Sequence, residues 1–213
     1  KRRAAVQALP EFERLKQAGR EIKEHSLAHL DLYLERFEAQ VLAQGGQVHW
    51  ARDAAEARRI LVELCVQADA RRVTKGKSMV GEEIGLNQAL EEAGLEVIET
   101  DLGEYIIQLA EEPPSHIIAP AVHKSREQIA ALFHEHHRKY GLEAPLETIP
   151  AIVDEARQVL RDAFLGADLG ITGANFLVAE TGSVIIVTNE GNGDLTASLP
   201  RTHIVLASIE KLV

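Results

Sequence analysis

The residues of this sequence with the most evident chemistry form a short basic loop, Lys75-Gly76-Lys77-Ser78. The loop follows an apolar stretch that ends at Val73, and a helical pattern begins after it. Free backbone N–H groups at the start of a helix can bind an anion, and two lysines would add positive charge there. The spacing is not that of a Walker A loop. We expect Lys75, Lys77 and Ser78 to bind a phosphate or carboxylate; the alternative is an ordinary strand–helix turn with exposed lysines.

Two further candidates follow later strand-like runs. Asp101 lies just past Leu95–Glu99, and the pair His123-Lys124 follows His116–Ala119. Ligands of open α/β sheets bind outside the carboxyl ends of strands, so these side chains are candidates for polar contacts with a ligand. Asp101 is also well placed to cap the helix that follows, and we favour that interpretation. A lone histidine at such a position is more often a structural hydrogen-bonding group than a base, so we favour a structural role for His123.

Polar residues between glycines in the last third of the chain form another group of candidates. Glu180 follows the apolar run Phe176–Ala179 and precedes a turn. Such a carboxylate could act as a nucleophile or a general base, and the alternative is a glutamate hydrogen-bonded to turn amides. Residues of the neighbouring loops could contact the same ligand; they are Asn175, Thr181, Gly182, Asn189, Glu190 and Asn192.

Other motifs of catalysis are missing from the sequence. The stretch His134-Glu135-His136-His137 does not have the His-Glu-x-x-His spacing of a zinc site, and we expect it on a solvated helix face. There is no G-x-S-x-G motif, and no G-x-G-x-x-G motif follows a strand-like run. The standard motifs therefore indicate neither a zinc protease, nor a serine hydrolase, nor a dinucleotide-binding protein.

A scaffold that could position these residues is predicted by the periodicity of the sequence. Apolar residues recur at helical spacing over residues 10–44, and Gly45-Gly46 ends that segment. Strands and helices then alternate, which predicts a parallel sheet covered by helices. The predicted strands are Val48–Trp50, a run through Val73, Leu95–Glu99 and His116–Ala119, and the predicted helices start at Asp53, Glu82, Leu102 and Ser125. Glu56 and Gln128 lie three residues after Asp53 and Ser125, the spacing of a capping box, so we expect Asp53 and Ser125 to cap their helices.

Four strand-like runs lie close together in the C-terminal part, after a predicted helix over Pro150–Phe164. They are Leu169–Thr172, Phe176–Ala179, Val184–Val187 and Ile204–Leu206. Glycines and a polar loop separate them, so we expect mixed or antiparallel strands built onto the sheet. The predicted fold class is α/β, with an N-terminal helical arm over residues 1–46 and one α/β domain over residues 47–213.

The composition and net charge of the chain exclude some classes of binding partner. The chain has 213 residues with a net charge of −10, which argues against a broad nucleic-acid surface and against docking on an anionic membrane. No apolar run approaches the roughly 18 residues of a membrane-spanning helix. The charged N-terminus predicts no signal peptide, and Cys65 is the only cysteine, which fits a reducing compartment. We therefore expect a cytoplasmic protein, with a small ligand or other protein chains as partners.

Several long segments, taken together, resemble the LUD domain of the lactate utilization protein B family. The resemblance covers nearly the whole chain, and it is strongest in the glycine-rich C-terminal part. Its segments are Lys77–Val80 with Glu82–Gly85 and Asn87, Val97–Ile106, Pro114–His116, Pro120–Lys124, Gly170–Phe176, Ala179–Ser183, Thr188–Asn192 and Leu199–His203. Segments this long and in this order are specific.

The resemblance implies a fold and a cellular role. It implies the fold shared by CoA transferases, ribose-5-phosphate isomerase and formyltetrahydrofolate cyclo-ligase. Proteins of this family continue into a ferredoxin-like region with two [4Fe–4S] clusters, and they are thought to carry electrons from L-lactate as it becomes pyruvate, together with two partner subunits. A cysteine-ligated cluster needs about four thiolates, so the clusters would lie outside this chain, which has one.

Two other functions stay open at this point. One is an enzyme in its own right, a transferase or isomerase for CoA esters, sugar phosphates or folates, which rests on fold analogy alone. The other is a non-catalytic scaffold that presents the iron–sulfur region to partner subunits. The resemblance supplies no catalytic residue, and the sequence does not specify the oligomeric state, although a homo-oligomer is compatible with it.

Overall fold

The computed structural model describes residues 2–76, 78–116 and 118–213, and this part of the chain is an α/β structure. Its α-helices are α1 (Arg2–Gln7), α2 (Phe12–Ala28), α3 (Leu30–Ala43), α4 (Ala54–Gln67), α5 (Met79–Glu83), α6 (Leu86–Glu92), α7 (Leu102–Ala110), α8 (Arg126–His136), α9 (Ile149–Leu165) and α10 (Asn192–Ser198). Its strands are β1 (Arg72–Gly76), β2 (Glu96–Glu99), β3 (Leu169–Thr172), β4 (Phe176–Val178), β5 (Ser183–Ile185) and β6 (Thr202–Val205). Short 3₁₀ turns cover Arg138–Tyr140 and Ile209–Lys211.

The main sheet is four-stranded and wholly parallel, with the order β2-β1-β3-β6. Parallel neighbours need crossover connections, and the helices between the strands provide them. A separate antiparallel pair is formed by β4 and β5. The predicted α/β class, a parallel sheet with helices and a small antiparallel part, is thus confirmed. The last strand, β6, joins the parallel sheet rather than the antiparallel pair.

The parallel sheet is covered on both faces, so its central strands are almost continuously buried. Every residue of β3 is buried, and so are Val73–Gly76 of β1. One core cluster contains Cys65, Leu86, Leu90 and Ile171, each fully buried. Each such side chain stabilises the fold by roughly 1.5–3 kcal/mol relative to an exposed one. These strands therefore provide a rigid edge for the residues at their carboxyl ends.

A second core cluster lies among α7, α8 and α9 and encloses a polar network. Tyr105 Oη lies 3.0 Å from His137 Nε2, and His137 Nδ1 lies 3.0 Å from Glu155 Oε1. The His137 ring also stacks on Phe133. Burial lowers the pKa of His137 despite the opposing effect of Glu155. The expectation that His137 lies on a solvated helix face is therefore wrong, because this histidine bonds three helices together from inside the core.

The chain forms two compact units. One contains residues 50–173 and 187–207 with the parallel sheet, and the other contains the residues up to His49 with residues 174–186 and 208–213. In the second of these, β4 pairs with β5, and Val213 N donates to Leu177 O at 2.8 Å. The predicted domain boundary between residues 46 and 47 stays a prediction.

The helical arm is interrupted where the sequence predicts one continuous segment. The predicted helix over residues 10–44 is two helices, α2 and α3, with a break at His29. The Ser26 hydroxyl donates to Ile22 O, a local side-chain bond that competes with the regular helix pattern. The end of the segment is as predicted, because Gly45 has φ +82°, a conformation in which glycine avoids the strain of a side chain.

Three other predicted elements differ from the structure. Val48–Trp50 forms no strand. The predicted buried strand His116–Ala119 is an exposed turn at its described residues, because His116 Nδ1 accepts the N–H groups of Ile118 and Ala119. The predicted helix from Glu82 is divided at Gly85, whose φ of +65° ends one helix and begins the next.

Candidate functional site

A buried ion cluster lies at the carboxyl ends of β1 and β2. Lys75 is 1% exposed, and its Nζ lies 2.8 Å from Glu99 Oε1. Lys75 and Glu99 are partners in the parallel register of these strands, so the sheet itself places their side chains next to each other. The ammonium group also contacts Glu82 of α5. One buried cation is thus shared by two carboxylates.

Short helices after β1 bring further polar groups to this cluster. The Ser78 hydroxyl caps α5 by accepting Gly81 N–H at 3.1 Å, which fixes the helix that carries Glu82. Asn87 of α6 donates through Nδ2 to Glu99 Oε1 at 2.5 Å. The division at Gly85 therefore lets two helices reach the ion cluster: α5 places Glu82 on Lys75, and α6 places Asn87 on Glu99.

Burial and the ion cluster shift the pKa values of Lys75 and Glu99. Burial lowers the pKa of Lys75, but the charges of Glu99 and Glu82 outweigh this effect and the net shift is upward. Burial raises the pKa of Glu99, and Lys75 offsets this only in part. We conclude that Lys75 is firmly charged, while Lys75 compensates the buried carboxylate of Glu99 only in part.

Glu104 adds a protonated carboxyl group to the site. It lies in the first turn of α7, whose N-cap is Asp101. Burial raises the pKa of Glu104 to about 8, and the charge of Glu99 adds to the shift. At neutral pH this side chain therefore carries a proton and can donate it, a property that catalytic acids share.

A groove of about 750 Å³ opens in front of this cluster. Its walls come from α5, α6, β2, α7 and the loop after α7. Glutamates predominate among its side chains; they are Glu82, Glu83, Glu91, Glu99, Glu104, Glu111 and Glu112. Three buried oxygens on these walls have no hydrogen-bond partner, namely Asn87 Oδ1, Glu99 Oε2 and Glu104 Oε2. The volume suits a small ligand, and the walls supply mainly acceptors.

The basic loop does not present Lys75 as a free charge. Its ammonium group is engaged by two carboxylates, so it offers no uncompensated positive charge to an anion. Ser78 is buried and serves as a helix cap. Lys77 lies outside the described residues. Anion binding by this loop stays a prediction.

The other predicted residues of this unit have partners within the protein. The Asp101 side chain accepts Gly103 N–H at 3.1 Å, so the favoured cap interpretation is confirmed. His123 Nε2 lies 2.9 Å from Glu112 Oε2, and Lys124 pairs with the same carboxylate. His123 and Lys124 therefore fix the orientation of Glu112 at the rim of the groove.

The polar loop before α10 places one buried amide near β1. Asn192 is 7% exposed, and neither its Nδ2 nor its Oδ1 has a partner. A Cβ at Gly76 would lie 3.8 Å from Asn192 Nδ2, so this amide lies close to the carboxyl end of β1. Asn189 and Glu190 are exposed. Among the candidate residues of the C-terminal part, Asn192 is therefore well suited to bind a ligand, because its amide is buried and both polar atoms lack partners.

The remaining candidates belong to the unit that contains β4 and β5. Glu180 is exposed in the turn between these strands, and Thr181 donates to Ser183 Oγ at 2.8 Å. Gly182 has φ +70°, and a Cβ there would lie 2.7 Å from Val41 N, so a side chain would collide with α3. Asn175 N–H donates to Ile185 O at 2.9 Å. Catalysis by Glu180 stays a prediction.

Sequence reasoning missed the carboxylates that define the groove. Glu82, Glu99 and Glu104 look like surface charges when each is considered alone, and Asn87 lies within a helical pattern. One signal was present: Glu99 ends an apolar run at the position where a neighbouring strand carries Lys75. A pair of opposite charges at matching positions of adjacent buried strands indicates a buried ion pair.

Neither a metal centre nor a membrane span is found in the part of the chain that the structure describes. No three His, Cys, Asp or Glu side chains there are arranged to hold a metal ion. Burial raises the pKa of Cys65 to about 11, which keeps this thiol protonated and unreactive. No described helix is both long and apolar enough to cross a bilayer.

We expect stability to fall with rising pH because of Glu104. The ordinary pKa of this carboxyl is 4.5 and its folded value is about 8, so only the folded state holds the proton between these values. Raising the pH through that window therefore favours unfolding. Urea unfolding at about pH 5 and pH 8 should show a smaller loss of stability in Glu104→Gln than in the wild type. Equal losses would contradict this assignment.

Comparison with known proteins identifies the family. Residues 34–213 match the LUD domain. Lactate utilization protein B of Bacillus pumilus strain SAFR-032 is 47% identical over 214 residues, which cover 100% of this chain and 44% of the relative. Lactate utilization protein B of Bacillus subtilis strain 168 is 45% identical with the same coverage. The Escherichia coli K12 protein named "Uncharacterized electron transport protein YkgF" is 46% identical over 99% of this chain and 44% of its own length.

The chain spans less than half the length of these relatives. No solved structure matches it significantly. The family match nevertheless includes the parallel sheet, the ion cluster and the antiparallel pair, because all of them lie within residues 34–213. On this evidence the chain belongs to the LUD domain family.

Proposed function

We propose that this chain is the LUD domain of a lactate utilization protein B and acts in a cytoplasmic system that oxidises L-lactate to pyruvate. The observation that carries the proposal is the identity of 45–47% along the whole chain to several proteins of that name. In this proposal electrons pass through [4Fe–4S] clusters outside these 213 residues. The single cysteine, Cys65, is buried and cannot supply the thiolates of such a cluster.

The part proposed for this domain is to bind a ligand or a partner subunit beside the redox-active region. The groove at the carboxyl ends of β1 and β2 supports this role, because open α/β sheets bind their ligands at such edges. Val73–Gly76 of β1 are buried, and the register of β1 with β2 sets the positions of Lys75 and Glu99. Other lactate utilization subunits are the partners that we propose.

The proposal is tested by exchanging domains. In Bacillus subtilis strain 168, the matching part of lactate utilization protein B would be replaced by this chain, which is 45% identical to it. We expect the chimera to restore growth on L-lactate to a strain that lacks the native protein. The control is the same strain carrying the native gene, with both strains also grown on glucose.

The proposal is contradicted only by a chimera that accumulates to the normal level and still does not support growth on L-lactate. Protein level by immunoblot and cluster content by visible absorbance would establish that the chimera is folded and loaded. A folded, loaded chimera without growth on L-lactate would contradict the proposed function. Growth together with a normal rate of lactate consumption would support it.

A further inference from the structure

The groove carries more negative charge than its cations compensate. Among the seven glutamates on its walls, Glu82 and Glu99 share Lys75, while Glu112 pairs with Lys124 and with His123. Glu104 holds a proton at neutral pH, and in the described part of the chain no lysine or arginine forms an ion pair with the other three, Glu83, Glu91 and Glu111. A cleft lined by one sign of charge raises the local concentration of ions of the opposite sign. The electrostatics therefore favour a cationic occupant.

The hydrogen-bonding state of the walls points to the same kind of occupant. Glu99 Oε2, Glu104 Oε2 and Asn87 Oδ1 are acceptors without donors. The Glu99 side chain is 3% exposed, so bulk water does not satisfy its free oxygen. A buried acceptor without a partner costs free energy that a bound donor would recover. Glu104 holds a proton at neutral pH, but a cation beside it would favour the charged form of this carboxyl. The free oxygens of the walls would then all accept hydrogen bonds from a cationic donor.

An organic cation supplies both positive charge and hydrogen-bond donors, whereas a metal ion supplies no donors. No three acidic, histidine or cysteine side chains in the described ranges are grouped for metal coordination. Ammonium and guanidinium groups carry several N–H donors and bind carboxylates through charge-assisted hydrogen bonds. Of the two, guanidinium offers a planar fork that can contact two acceptors at once.

We propose that this groove binds a primary ammonium or guanidinium group, held by Glu99, Glu104 and Asn87. The source is either a small free amine or the lysine or arginine side chain of a partner protein. The proposed ligand is a cation, whereas the basic loop predicts a small anion. Binding of a cation goes beyond the proposed lactate role and does not depend on it, because the test below measures binding alone.

The test is calorimetric titration of the full chain with agmatine, which carries one ammonium and one guanidinium group. We expect agmatine to bind, uncharged 1,4-butanediol not to bind, and the affinity to fall as salt is added. Glu104→Gln should weaken binding by about tenfold or more, since a bound cation favours the charged form of Glu104 and glutamine cannot become charged. Glu92→Gln changes an exposed glutamate of α6 outside the groove, and it should leave the affinity unchanged.

A second variant tests the groove independently, in case Glu104→Gln does not fold. Glu91 is an exposed glutamate that lines the groove on the same helix as Glu92. Glu91→Gln should weaken agmatine binding by about twofold, the scale of an exposed charge pair. Circular dichroism would confirm that every variant is folded.

Three results would overturn the proposal. They are no agmatine binding at low salt (whether or not Mg²⁺ binds), equal binding of 1,4-butanediol, and an unchanged affinity in both groove variants. Titration with N-acetyl-lysine amide distinguishes the sources: tighter binding than agmatine indicates a partner side chain, and weaker binding indicates a free amine.

Discussion

Lys75→Met is expected to destabilise the folded protein by about 3–5 kcal/mol, the usual result of removing one partner from a buried ion pair. The variant would leave Glu99, whose side chain is 3% exposed, without its cation. Glu82 would lose the same partner. At about 2–4 °C per kcal/mol for a chain of this size, the melting temperature should fall by roughly 6–20 °C. Circular dichroism during heating measures this change.

Two variants show whether the loss comes from uncompensated charge. Adding Glu99→Gln to Lys75→Met removes a buried carboxylate while keeping an acceptor for Asn87, so it should recover part of the stability. Lys139→Met removes an exposed lysine from the same unit and should change stability by about 0.5 kcal/mol or less. A Lys75→Met protein as stable as the wild type would contradict the buried ion cluster.

Gly170→Ala is expected to cost about 3 kcal/mol, at the upper end of the range for overpacked cores. Gly170 lies in β3 where α10 packs directly on the strand, and a Cβ there would lie 2.0 Å from Thr196 O. Because that oxygen belongs to the backbone, no rotamer change relieves the contact. The helix would have to move, and with it Asn192 and the Thr196 hydroxyl, which lies 3.3 Å from Thr100 Oγ1.

The matched control for this variant is a glycine with free space. Gly19 lies inside α2, and a Cβ there would have no neighbour within 4 Å. Gly19→Ala should therefore stabilise its helix by up to about 1 kcal/mol, since alanine has the higher helix propensity. Urea unfolding of both variants gives the two free-energy changes. Equal effects, or a neutral Gly170→Ala, would contradict the close packing of α10 on β3.

Local features were predictable because their interactions span only a few residues. Asp53 caps α4 by accepting Glu56 N–H at 2.9 Å, as the sequence predicts. Ser125 and Gln128 form the predicted capping box at the start of α8. Such bonds depend on side chains three positions apart, so their spacing is visible in the sequence. The alternation of strands and helices is equally visible, and it correctly predicts a parallel sheet.

Predictions of burial failed for two segments, one through a local turn and one through distant partners. The run His116–Ala119 is apolar enough for a buried strand, but at its described residues it forms an exposed turn around the His116 ring. His137 belongs to a polar stretch, yet it is fully buried because Tyr105 and Glu155 satisfy both ring nitrogens. Neither partner is near His137 in the sequence. Composition alone therefore misassigned both segments.

The sequence by itself determined the α/β class, the helix caps and, through long ordered segments, the membership of the LUD domain family. Only the tertiary structure decided the character of the groove. The parallel register of β1 and β2 places Lys75 beside Glu99, and the helix break at Gly85 brings Asn87 to the same carboxylate. Burial then changes what these groups do, because the free energy of a charge depends on its solvent and its neighbours rather than on residue type.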